Sequence, residues 1–247
     1  MAGFEEFTDP RLVAVYDLWD PVRTDTPFYV DLATELAASS VVDVGCGTGY
    51  LACELARHGH RVTGVDPSRP MLDVARRRPN GNLVRWIDGD ASRLGDDEYD
   101  LAVMTGHVAQ IIADDEDWRL TLAAIRRALR PGGRLAFESR DPAARGWEAW
   151  TPETSRRVLD GGELGTIEVW SQSTVVRGER VSSDLHYRFA SSGEVLISHG
   201  EFRFRPRADL TRSLTEVGFS VQHVFGDHQR GPVKDGSPEL VFVAARE

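Results

Sequence analysis

The segment Val41-Val42-Asp43-Val44-Gly45-Cys46-Gly47-Thr48-Gly49-Tyr50-Leu51 constrains this chain more than any other. Its apolar run suits a buried strand and breaks into glycines at every second position. Tyr50 to His58 then carries Leu51 and Leu55 at helical spacing, closed by Gly59. A strand that passes through glycines into a helix brings backbone close to a ligand and points free N–H groups at it. Asp66 closes the next strand about twenty residues on, where a carboxylate can accept both hydroxyls of a ribose. The dinucleotide fingerprint G-x-G-x-x-G needs its third glycine where this chain has Tyr50, so a nicotinamide-dependent oxidoreductase is the least favoured alternative.

Around this segment strands and helices alternate. Asp9-Pro10 and Thr26-Pro27 start two helices, the first carrying Leu12, Val15, Tyr16 and Trp19 and stopped by Pro21, the second carrying Phe28, Leu32 and Leu36. Arg61 to Val65 is a second strand. Ser68 caps a helix through Met71, Leu72 and Ala75 that Pro79-Asn80-Gly81 terminates. Leu83 to Ile87 and Tyr99 to Met104 are the third and fourth strands. A helix from about Asp115 to Leu129 buries Trp118, Leu122, Ile125 and Leu129, Arg130-Pro131-Gly132-Gly133 ends it, and Arg134 to Glu138 is the fifth strand. This order predicts an α/β fold with a doubly wound, mostly parallel sheet and right-handed crossovers.

The alternation then breaks. Residues 165–205 read as three strand-like runs with turns at Arg177-Gly178-Glu179 and Ser191-Ser192-Gly193, the last run setting Phe202 and Phe204 on one face and Arg203 and Arg205 on the other. This is a small antiparallel insertion after the fifth strand. A helix from Pro206 to Val217, capped by Gly218, and strands at Phe219–Phe225 and Leu240–Ala244 complete a seven-stranded sheet.

Composition narrows the class. A chain of 247 residues can bury a core without a disulfide or structural metal, and Cys46 and Cys53 supply neither. The net charge of −10 argues against a nucleic-acid partner, and no apolar run approaches a membrane span. The opening residues lack a basic-then-apolar signal, so a cytoplasmic protein is expected.

Four segments in order resemble the class I S-adenosylmethionine-dependent methyltransferases: residues 43–49, Gly64-Val65-Asp66-Pro67-Ser68, Asp88-Gly89-Asp90-Ala91, and Leu129 to Leu135 with Pro131-Gly132-Gly133 at its centre. The resemblance implies a Rossmann-like sheet whose last strand is antiparallel and S-adenosyl-L-methionine as cofactor. It divides one domain into a helical cover (1–38), a cofactor-binding core (39–140), a lid (165–205) and a terminal helix with two strands (206–247). It places Asp66 on the adenosine ribose, Asp90 and Ala91 on the adenine edge, and Gly45, Cys46, Gly47 and Gly49 against the methionine portion. Asp43 would orient the glycine loop or touch the cofactor. Pro67, Met71, Thr105 and Gly106 complete that set, and Tyr16 is a candidate for the cofactor's carboxylate or the acceptor. The insertion is similar to the lid of small-molecule methyltransferases, including glycine and amino-sugar N-methyltransferases.

Methyl transfer from a sulfonium is an in-line displacement in which positioning supplies much of the acceleration, and a base is needed only where the acceptor must lose a proton. Ligands of open α/β sheets sit beyond the carboxyl ends of the strands. His107, just after the fourth strand, is therefore the candidate catalytic base, since an imidazole can take a proton near neutral pH. Glu138, Arg140 and Trp147 after the fifth strand, Asp227 and His228 after the sixth, and His186 and His199 on the insertion's inner face are candidate substrate contacts. Met104-Thr105-Gly106-His107 lacks the Asn-Pro-Pro-Tyr pattern of enzymes that methylate nucleic-acid amino groups, and no cluster has metal-ligand spacing. The expected activity is methylation of an N or O atom of a small molecule. A C-methyltransferase and a non-catalytic S-adenosylmethionine-binding protein are the alternatives, and the insertion's edges could pair in a homodimer.

Overall fold

Val41, Val42, Asp43 and Val44 are all buried, as a strand covered on both faces of a parallel sheet must be. The computed structural model describes residues 3–19 and 23–247. In chain order it forms α1 (Pro10–Trp19), α2 (Thr26–Glu35), β1 (Ser40–Val44), α3 (Tyr50–Arg57), β2 (Arg61–Asp66), α4 (Arg69–Arg77), β3 (Arg85–Asp88), β4 (Tyr99–Met104), α5 (Val108–Ile111), α6 (Asp115–Ala128) and β5 (Leu129–Arg140). There follow α7 (Pro152–Ser155), β6 (Arg157–Asp160), β7 (Thr166–Arg177), β8 (Arg180–Phe189), β9 (Val195–Arg203), α8 (Arg207–Glu216), β10 (Phe219–Phe225) and β11 (Glu239–Arg246). No helix of the described residues is long and apolar enough to cross a membrane.

Seven strands form one sheet in the order β10-β11-β5-β4-β1-β2-β3. Only β11 runs against its neighbours, antiparallel to both β5 and β10. Trp118, Leu122 and Ile125 of α6, with Leu210 and Leu214 of α8, cover one face. Phe28, Tyr29 and Leu32 of α2, with Leu51 and Leu55 of α3, cover the other. The strand order reverses between β1 and β4, and the two chains leaving those strands part to open a crevice.

The insertion makes a second antiparallel sheet, β6-β7-β8-β9. Its inner face, with Ile167, Val169, Tyr187 and Phe189, packs on Leu12 and Val15 of α1. Helix α1 is therefore held between this sheet and the core, over the crevice. Residues 3–8 tie the layers together: Phe4 N–H donates to His199 O at 2.8 Å, and the Ser68 hydroxyl donates to Phe7 O.

The structure departs from the sequence reading in places. The insertion's sheet has four strands, beginning at Arg157. Sequence periodicity misses β6 because it is four residues long and buries only Leu159, leaving Val158 65% exposed. The last run ends at Arg203, and Arg205 is buried, not on a solvent face. Its guanidinium donates to the carbonyl oxygens of Ala109, Ile112 and Asp114 at 2.9–3.2 Å. Strand β3 starts at Arg85, with exposed Leu83 in a 3-10 turn before it. Strand β5 starts at Leu129, which pairs with Tyr99 across an irregularity that absorbs the Pro131-Gly132-Gly133 turn. The helix stop assigned to Pro21 lies outside the described residues.

Candidate active site

The crevice is built on the turn between β1 and α3. Gly45 and Cys46 N–H groups donate to Val65 O. Gly47 N–H donates to Asp66 Oδ2 at 2.8 Å, and Ser68 N–H to Asp66 Oδ1 at 2.7 Å. One carboxylate thereby sets the loop and the start of α4 together. Gly49 has φ +75°, and a Cβ there would lie 2.5 Å from the Trp86 ring and 2.8 Å from the Ala75 Cβ. Gly47 has φ +52°, and a Cβ there would meet nothing within 4 Å. One side of the loop is thus sealed by Trp86, and the other is an open cradle.

A small cavity opens over this cradle. Gly45 to Thr48 wall it after β1, Thr105 and Gly106 after β4, and Tyr16, Arg23 and Asp25 from the N-terminal cover. Asp17 latches α1 to the glycine loop, accepting from the Thr48 hydroxyl at 2.7 Å, from Arg23 at 3.0 Å and from Arg78, which also donates to Thr48 O at 3.0 Å. Both guanidinium groups lie over the Tyr50 ring.

The cavity floor is acidic. Asp43 is 1% exposed, and its Oδ1 has no hydrogen-bond partner among the described residues. Burial, then the nearby charges of Asp66, Glu138 and Asp25, raise its carboxyl to about 8. Burial and Asp88 likewise hold Asp66 above the ordinary carboxylate range, against the pull of the Ser68 and Gly47 N–H groups. Burial and Glu138 raise Asp25.

Next to Gly106, His107 takes a left-handed φ of +63°, uncommon for a residue with a Cβ. Its N–H donates to Glu138 Oε1 at 2.9 Å, and its ring Nε2 lies 3.0 Å from Glu239 Oε1. Glu138 is 1% exposed and also accepts the Tyr29 hydroxyl. His228 Nε2 stands 4.0 Å from it, an ion-pair distance too long for a direct hydrogen bond. Burial pushes Glu138 up, but His228, His107 and the Tyr29 hydroxyl together hold it below its usual range. The partnership also raises His228 against its own burial. Arg140 donates to Gln110 Oε1 at 3.1 Å and lies over the Trp150 ring.

A methyltransferase domain family model matches residues 41–133. A cypemycin N-terminal methyltransferase of a Streptomyces species is 35% identical over 86% of this chain and 85% of its own. The chain belongs to the class I S-adenosylmethionine-dependent methyltransferases. Among solved structures, the CcbJ methyltransferase of Streptomyces caelestis superposes with a TM-score of 0.74 at 22% identity, covering 94% of this chain and 96% of its own. The S-adenosylmethionine-bound amino pentose methyltransferase CalS10 of Micromonospora echinaspora does so at 0.66 and 21% identity, over 92% and 93%.

Within this methyltransferase, Tyr16, Asp43, Gly45, Cys46, Gly47, Thr105 and Gly106 line the cavity, with Asp66 bonded to its loop and Gly49 sealed beneath it. Asp90 caps the turn beginning at Ala91, accepting from Ser92 N–H at 2.9 Å, with Pro67 exposed nearby in sequence to Asp66. Met71 is 1% exposed and packed in the interior. His107, Glu138, Arg140 and His228 gather beside Gly106.

Two assignments need correction. His186 and His199 lie on the outer face of the second sheet, opposite Tyr187 and Phe189. There His186 stacks on Trp170 with ring centroids 5.1 Å apart, and His199 pairs with Asp184 at 2.7 Å. Strand alternation decides this, since the aromatic neighbours of His186 claim the inner face. Asp227 Oδ1 accepts Gly231 N–H at 2.8 Å within its own loop, and Trp147 packs edge-on against Phe204 at 4.7 Å. Sequence reading missed Asp17, Thr48, Arg78, Tyr29, Trp86 and Glu239. Of these only Thr48 lies in a motif, between Gly47 and Gly49, and the spacing of Tyr29 beside Phe28 on α2 gave the one other local signal.

Proposed function

We propose that this enzyme transfers the methyl group of S-adenosylmethionine to a nitrogen of a small amine, with His107 as the base. The geometry that carries the reading is the His107–Glu239 pair at 3.0 Å, set beside Gly106 where the crevice opens. Several features of the chain fit the cofactor: the open cradle at Gly47, the unpartnered buried Oδ1 of Asp43 and the carboxylate of Asp66 beyond the loop. Asp66 would hold ribose hydroxyls, Asp90 and Ala91 the adenine edge, and Asp43 the methionine end, with Tyr16 turned toward the acceptor. The cofactor supplies a methyl group on positively charged sulfur, already activated for displacement.

An amine reaches the site protonated and must lose a proton before its lone pair can attack. If Nε2–H of His107 is donated to Glu239, Nδ1 carries the lone pair that takes this proton, and Glu239 stabilises the imidazolium that results. Glu138 fixes the ring's position by holding the His107 N–H in its strained conformation, a device that accumulates at functional sites. His228 and Tyr29 keep Glu138 in place. Arg140 offers its remaining N–H groups to oxygens of the acceptor. The acidic floor favours a cationic acceptor, and the cover of α1 and the second sheet limits its size. The names of two relatives, a cypemycin N-terminal methyltransferase and a glycine/sarcosine N-methyltransferase, agree with nitrogen.

The test is transfer of labelled methyl to a tripeptide with a free N-terminus and to an amino sugar, each beside its N-acetylated counterpart. Label in a free amine and none in its acetylated form supports nitrogen. Label surviving N-acetylation overturns it in favour of oxygen or carbon.

A further inference from the structure

Glu6 is the acid the proposed reaction leaves unused. It lies in the short 3-10 turn before α1, is 8% exposed, and its Oε2 finds no partner among the described residues. Its backbone is pinned from both sides. Glu6 N–H donates to the Ser198 hydroxyl on β9 at 3.1 Å, and neighbouring Phe7 is held through its carbonyl by Ser68. Phe4 packs edge-on against Phe202 and Phe7 against Tyr16. Its charge acts on Tyr16 and Tyr187 and is opposed by that of Glu5, and no cation among the described residues bonds to its carboxyl. Tyr16 lines the cavity, and Tyr187 projects from the second sheet's inner face. Neither hydroxyl bonds to another described residue.

A buried carboxyl with an open oxygen is unsatisfied whether ionised or protonated, and burial raises Glu6 to about 7. A chain that buries such a group near two phenols, one of which lines the methyl-transfer cavity, leaves the matching charge to a ligand. We infer that Glu6, with Tyr16 and Tyr187, is the subsite that receives the acceptor's ammonium group beneath the second sheet. This rests on reading the acceptor as an amine: Glu6 meets the ammonium as it arrives over the N-terminal cover, and the group gives up its proton only on reaching the His107 base.

Tetramethylammonium, a cation with no proton to lose, serves as the probe, with tert-butanol as its neutral counterpart at matched ionic strength. The Glu6 carboxyl is followed by carbon NMR in the full chain saturated with S-adenosylhomocysteine, its signal assigned by Glu6→Gln or, should that variant not fold, Glu6→Asp. The subsite predicts that tetramethylammonium lowers the Glu6 titration midpoint by about one unit, a tenfold preference for the ionised form, while tert-butanol leaves it in place. An unchanged midpoint, or equal shifts with both probes, overturns the subsite whichever acceptor the enzyme uses. With a methylated amine in hand, Glu6→Gln should raise the KM for that amine about tenfold and change the KM for S-adenosylmethionine less than twofold. An unchanged amine KM also overturns it. Failure to methylate any amine, with the midpoint still lowered by the cation, would instead overturn the nitrogen reading.

Discussion

Asp43 makes a free-energy difference that its substitution by asparagine should expose. The side chain is 1% exposed, one oxygen is unpartnered, and burial lifts its carboxyl from 3.8 to about 8. Between these values the folded chain keeps the proton and the unfolded chain releases it, so folding is opposed more strongly as pH rises. Each unit is worth about 1.4 kcal/mol, so by pH 7 the accumulated loss is about 4 kcal/mol, a large share of the roughly 5–15 kcal/mol that stabilises an ordinary domain. Asparagine has nearly the same shape and no proton to lose. Asp43→Asn should therefore match the parent near pH 4 and exceed it increasingly up to about pH 8, above which the difference levels. Urea unfolding of both proteins at several pH values, without cofactor, reads this difference directly. Other raised acids such as Glu6 and Asp66 titrate in both proteins and largely cancel. A difference curve flat to within about 1 kcal/mol from pH 5 to pH 8 would refute the reasoning, because the carboxyl would then be ionised in the fold without penalty. On the proposed placement of the cofactor's methionine end beside Asp43, the same substitution should also weaken S-adenosylmethionine binding.

Three further outcomes follow from the same geometry. His107→Ala should lower turnover on an amine about a hundredfold while leaving S-adenosylhomocysteine affinity within about twofold, and Glu239→Gln should give a smaller loss in the same direction; unchanged turnover removes His107 as base. Asp17→Ala removes the acceptor that Thr48, Arg23 and Arg78 share, so stopped-flow dissociation of S-adenosylhomocysteine should accelerate about tenfold, and an unaltered rate would mean α1 is not a latch. Gly49→Ala drives a methyl group into Trp86 and should destabilise the fold by about 3 kcal/mol or more, whereas Gly47→Ala meets only open space and should cost about 1 kcal/mol while sharply weakening cofactor binding. Calorimetry on the pair separates packing from cradle, and equal effects on both properties would contradict that division.

Much of the cofactor side was legible because it is local. Gly45, Gly47, Gly49 and Asp66 follow one another through a strand, a turn and the next strand, so spacing along the chain fixes their meeting. Ser68 announces its cap, and its hydroxyl does accept Met71 N–H. The acceptor side was legible only in part. His107, Glu138 and His228 were candidates because they follow strands that point to one end of the sheet, and the structure brings the three together. Their partners Tyr29 and Glu239 come from α2 and the start of β11, more than a hundred residues from the groups they hold. Histidines 186 and 199 were misplaced because a two-residue period says which side chains share a face but not which face turns inward; the burial of Tyr187 and Phe189 settles that.

The sequence alone determined the α/β alternation and the glycine turn, since these depend on hydrophobic period, backbone freedom and short-range spacing, and the resemblance of four of its segments to a family implied the cofactor. Tertiary structure decided what closes the site: α1 gripped between two layers, Asp17 latched to Thr48, the His107–Glu239 pair, and the buried Glu6 carboxyl, whose Oε2 has no partner among the described residues. Those depend on which apolar faces meet. The second sheet buries Ile167, Val169 and Tyr187 against Leu12 and Val15, and that packing alone brings the chain's first residues over a cavity made by its middle.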